Sequence, residues 1–132
     1  MPQEENAITF TTAFVGMMAE SFGIAPELIS VQHDPETKRS CCWFLSKDGQ
    51  RFAEITLVPM AHLQTVQHEL AHAIAWIKHG AQGHGPVFIE TLADVIVDLW
   101  SDPIASYDFN VEYVGLREAV NARLARAAQE ER

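Results

Sequence analysis

Residues 63–88 read LQTVQHELAHAIAWIKHGAQGHGPVF, and the rest of the chain is best read outward from them. Leu63, Val66, Leu70, Ile74 and Ile77 recur at helical spacing and predict one buried stripe on a helix from about Ala61 to His79. Gly80 suits the left-handed position just past the end of that helix. The loop Gly80–Gly85 then leads to Pro86, a residue suited to a first helical turn. The second helix, about Pro86–Trp100, is expected to bury Phe88, Ile89, Leu92, Ile96 and Leu99, and Asp102-Pro103 to break it.

Inside the first helix lies His68-Glu69-Leu70-Ala71-His72, an HExxH motif. Residues four apart on a helix are turned by about 40° and rise by about 6 Å, so both imidazoles lean to one side. At about 100° per residue from Leu63, His68 and His72 fall near 140° and 180°, away from the apolar stripe. Ala71 and Ala75 leave room around the pair. Two neutral imidazoles at this spacing suit one Zn²⁺ ion. Glu69 stands beside them as a non-ligand, suited to act as general base on a zinc-bound water.

A catalytic zinc wants a third protein ligand, and the residues offer two candidates. His84 follows a loop that can reverse the chain. Glu90 lies a turn and a half further on, with Asp94 as its partner; Glu90, Asp94 and Asp98 also read as a solvated acidic stripe. His79 is seven residues past His72, about 10 Å along the axis, which is too far. It suits the negative end of the helix dipole instead.

Before this region, residues 7–22 carry Ile8, Phe14, Val15, Met18 and Phe22 near helical spacing, closed by Gly23 and Pro26. Three strands are expected next, at Leu28–Gln32, Ser40–Ser46 and Arg51–Val58. Asp48-Gly49 marks a two-residue hairpin between the last two, and residues 34–38 mark an earlier turn. Ala53, Ile55 and Leu57 share one face of the third strand. Read as an edge strand, it makes Phe52–Leu57 a candidate platform for an extended substrate. After the second helix, 103–114 read as irregular or a short strand, and a last helix runs over about Gly115–Gln129 with Leu116, Val120 and Leu124 inward. The expected fold class is α+β: an N-terminal helix, a three-stranded antiparallel sheet, the HExxH helix and further C-terminal helices. Residues 1–132 are expected to form a single domain whose last few residues are a frayed helical tail.

Composition agrees. Of 132 residues, 48% are hydrophobic, enough for one core. The net charge of −9 speaks against nonspecific nucleic-acid binding, which depends on Lys and Arg neutralising phosphates. The N-terminus lacks a basic segment followed by an apolar one, and no apolar run is long enough to span a membrane. Cys41 and Cys42 are the only cysteines. As adjacent strand residues they point to opposite faces and suit a reducing cytoplasm. Tyr107, Tyr113 and His79 are open candidates for stabilising an oxyanion, with none favoured.

His68–His72 followed by Gly83-His84-Gly85-Pro86-Val87-Phe88 resembles the SprT-like (Spartan-type) zinc metallopeptidases. The resemblance covers roughly residues 7–100, and its specific part is 65–88. It implies a zincin-like minimal metallopeptidase domain, with His84 as third zinc ligand beside His68 and His72, and a zinc metalloendopeptidase acting on protein or peptide. Better-known members of the family cleave proteins crosslinked to DNA, a nucleic-acid link that the acidic balance here disfavours. Two other readings stay beside it. One is a gluzincin-like peptidase with Glu90 as third ligand. The other is a zinc-stabilised, non-catalytic module that binds a partner protein through its sheet edge.

Overall fold

A computed structural model describes residues 2–99, 103, 107–109 and 113–130, with side chains from Thr9 onward. The elements are α1 (Pro2–Ser21), a 3₁₀ turn at Pro26–Leu28, β1 (Ile29–His33), β2 (Cys41–Lys47), β3 (Gln50–Leu57), α2 (Leu63–His79), α3 (Pro86–Leu99) and α4 (Leu116–Glu130). Asp102 of the expected helix break, residues 104–106 and 110–112, and the side chain of Ile8 lie outside the described residues. No helix among the described residues is long and apolar enough to cross a membrane.

The fold class is the α+β arrangement expected, but the sheet is mixed and not antiparallel. Its order is β1-β3-β2. β2 and β3 form the expected antiparallel hairpin, with Lys47 opposite Gln50. Its turn residues Asp48 and Gly49 have φ of 53° and 80°, the left-handed pair that a two-residue turn of this hand requires. β1 instead runs parallel to β3, with Ile29 opposite Ala53 and His33 opposite Leu57. The connection between β1 and β2 explains the difference. The Asp34 N–H donates to the Leu57 carbonyl, and the Val58 N–H donates to Ser40 Oγ. Residues 34–40 therefore cross the end of β3 and deliver the chain to its far side.

This order overturns the reading of residues 51–58 as an edge strand. β3 is paired on both sides, so its backbone groups are not available to a substrate. The strand with the most continuous apolar face takes the centre: Ala53, Ile55 and Leu57 are all at most 2% exposed. They share one core with Phe14, Val15, Met18 and Ala19 of α1 and with Val66, Leu70 and Ile74 of α2. α2 packs on β3 and β2, α3 packs on α2, and α4 packs on α3.

The central place of α2 has a consequence that its periodicity does not show. Every residue from Val66 to Ala75 except His68 is buried. Gln67 is wholly buried, and neither of its side-chain amide atoms has a hydrogen-bond partner. The C-terminus of α2 ends as expected. Gly80 is left-handed (φ 66°, ψ 20°), and its N–H reaches the carbonyls of Ala75 and Trp76. α3 begins at Pro86.

Candidate metal centre

The helical spacing of the motif puts His68 and His72 on one side of α2, with ring centroids 4.9 Å apart. The loop after Gly80 turns the chain back, aided by a second left-handed residue at Gly83 (φ 79°), and brings His84 to the same point. One ring nitrogen from each of the three histidines lies within 4.8 Å of the others, and His72 Nε2 is 3.0 Å from His84 Nε2. Two nitrogens sharing one tetrahedral Zn²⁺ at about 2.0–2.1 Å would be about 3.3 Å apart. Electrostatics agree with geometry. Burial, reinforced by the neighbouring histidines, pulls His68 down to about 4 and His72 down to about 3. Both rings are therefore neutral at pH 7, as a metal ligand must be. The cluster can hold a metal ion.

Aromatic rings build the walls. Phe88, one turn into α3 and 2% exposed, touches all three imidazoles, with centroids 4.2 Å from His72, 4.9 Å from His84 and 5.1 Å from His68. Phe44 of β2 meets His72 edge-on at 6.0 Å and Trp76 at 5.5 Å. Trp76 Nε1 donates to the Leu45 carbonyl, and Arg51 Nε donates to the Ile77 carbonyl, so the hairpin is tied to the second half of α2.

Glu69 is 6% exposed. Burial pushes its carboxyl up to about 7, against the opposing pull of Arg39. Its charge adds to the effect of burial in raising the Cys41 and Cys42 thiols. Both cysteines are free, on consecutive positions of β2.

Glu90 is turned elsewhere. Its carboxylate pairs with Arg123 of α4, as does that of Asp94, while Asp98 accepts from Ser21 Oγ. The acidic stripe thus joins α3 to α4 and α1, and Glu90 is not part of the histidine cluster. His79 ends α2, outside the cluster. Tyr107 is buried against Phe109. Of the three open oxyanion candidates, Tyr113 alone has its ring against the cluster, stacked on His84 at 4.6 Å with 19° between planes. A cleft of about 360 Å³ opens beside His84, bordered by Ile89, Glu90 and Val114.

By sequence alone Phe88 reads only as core, and Tyr113 is one of three equal oxyanion candidates. The signal for Phe88 was its place four residues after His84, on the first turn of α3. Nothing local marks Tyr113, which is 29 residues from His84.

Residues 55–103 match the model of the SprT-like family. Over these residues the chain is similar to the SprT-like family. The matched stretch runs from within β3 through α3, and so includes His68, Glu69, His72, His84 and Phe88, while Tyr113 and α4 lie beyond it. No curated protein and no solved structure matches the chain.

Proposed function

We propose that this protein is a zinc-dependent metalloendopeptidase, with His68, His72 and His84 holding one Zn²⁺ ion and Glu69 as general base. The convergence of three imidazole nitrogens beside a buried glutamate carries the reading. Zinc bound there supplies Lewis acidity, polarising a peptide carbonyl and making a water easier to deprotonate. The chain's own residues do the rest. His68 and His72 bind without first losing a proton. Glu69, with a carboxyl near 7, is matched to take a proton from the attacking water and pass it to the leaving amine. A purely structural zinc site is normally closed by a fourth protein ligand and has no use for such a base.

β2, not β3, is the strand to which an extended protein or peptide substrate adds. It lies at the edge of the sheet, and its Phe44 stands against His72. The cleft beside His84 receives a side chain near the cut bond. The two free cysteines suit a cytoplasmic site of action.

The test compares the wild type with Glu69→Gln for bound zinc and for cleavage of an unfolded protein. The expected result is equal zinc and a cleavage rate lower by about 10²–10⁴-fold in the variant. Equal cleavage by both overturns the mechanism.

A further inference from the structure

His68 and His72 are fixed by the backbone of α2, but His84 is not. It is exposed and lies between Gly83 and Gly85, in a segment that belongs to neither helix. A side chain on such a loop keeps one orientation only if other groups hold its ring. Two rings do so in this structure. Phe88 meets His84 edge-on from α3, and Tyr113 stacks on it from the segment before α4. Tyr113 also lies 5.9 Å from His68 and 5.8 Å from Phe88, so it stands next to the α3 wall and extends it over the cluster.

The position of Tyr113 is itself anchored. Leu116 and Val120 of α4 are wholly buried, and Arg123 joins Glu90 and Asp94 on α3. α4 thereby fixes the segment that carries Tyr113 to the same helix that carries Phe88.

We propose that Tyr113 is a positioning residue for the third metal ligand: its ring, stacked on His84, holds that imidazole toward His68 and His72. The inference rests on the reading of His84 as a ligand. It predicts that metal affinity depends on an aromatic ring at position 113 and not on the hydroxyl. Groups that orient a metal ligand typically matter by about 10–100-fold in affinity, and a single stack belongs at the lower end, about 10-fold.

The experiment is titration of the full metal-free chain with zinc against a competing chelator. The proteins are the wild type, Tyr113→Phe, Tyr113→Leu, His84→Ala and the His84→Ala/Tyr113→Leu double variant. Expected are wild-type affinity for Tyr113→Phe, a loss of about 10-fold for Tyr113→Leu, and no further loss from Tyr113→Leu once His84 is gone. Rescue by phenylalanine is the outcome that a fold defect from losing the hydroxyl would not produce. Wild-type affinity in Tyr113→Leu overturns the proposal, as does an equal loss in Tyr113→Phe. So does the same loss in the His84→Ala background, which would mean that Tyr113 acts elsewhere. Full affinity in His84→Ala instead overturns the underlying ligand assignment, so the two failures are distinguishable.

Discussion

One side of α2 is closed by aliphatic burial and the other by rings around polar atoms. On the first, Val66, Leu70 and Ile74 join a continuous core with Ala53, Ile55 and Leu57, with nothing more than 2% exposed. On the second, three imidazoles meet Phe88, Phe44 and Tyr113. The first side is complete as it stands, because apolar area removed from water needs no ligand. The second brings two ring nitrogens, of His72 and His84, to 3.0 Å from each other, an arrangement that a cation completes. Core packing and the proposed metal site therefore fall on opposite sides of one helix, and substitutions on each should give different signatures.

The largest effect is expected on the apolar side. Leu70→Ala should lower unfolding free energy by about 2–5 kcal/mol, since Leu70 is wholly buried in close packing. Denaturant unfolding measures this, and a loss below about 1 kcal/mol would mean that the core collapses freely around the gap. Zinc separates the two sides next. At about 1,000-fold over its dissociation constant, zinc should stabilise the wild type by about 4 kcal/mol. Leu70→Ala should keep that increment and His72→Ala should lose most of it, as read from melts with and without zinc. If both variants lose it alike, the two sides are not independent.

A smaller effect tests an exception on the apolar side. Gln67 falls within the aliphatic stripe by angle, and both its amide atoms are unpartnered. Gln67→Met keeps the shape and removes the unpaired groups, so it should raise stability by about 1 kcal/mol. A loss instead would mean that the amide has a partner in solution, such as a buried water.

The last contrast is in pH. In the metal-free protein, His68 and His72 titrate at about 4 and 3, below the ordinary 6.5. Their contribution to stability is complete above 6.5 and is lost as pH falls through those values. Glu69 is raised from 4.5 to about 7, so its contribution is complete below 4.5 and is lost as pH rises through 7. The two trends oppose each other between pH 7 and 4.5. Glu69→Gln should therefore make metal-free melting points fall more steeply on acidification. An unchanged or shallower fall would show that Glu69 does not titrate in this window.

Much of the molecule was legible from local signals. The step of three and four residues marks α2, Asp48-Gly49 marks the hairpin, and Gly80 and Pro86 bound the loop that returns His84 to the motif. Each of these depends on backbone preferences of a few neighbouring residues. The direction of β1 did not, because a turn at 34–38 is compatible with a hairpin or with a crossing over the end of β3. The bonds from Asp34 to Leu57 and from Val58 to Ser40 decide between them, and they join residues about twenty apart.

By itself, the sequence determined the His68 and His72 pair, the side of α2 on which it stands, and two candidates, His84 and Glu90, for a third ligand. Helical periodicity and chain reversal are local properties, set by side-chain spacing and by glycine and proline. Only the tertiary structure decided that β3 is central and that β1 and β2 are the edges. It alone paired Glu90 with Arg123, and brought a tyrosine 29 residues away onto His84. Those outcomes come from how the elements pack to bury one shared core, and no local pattern encodes which distant partner a strand, carboxylate or ring will find.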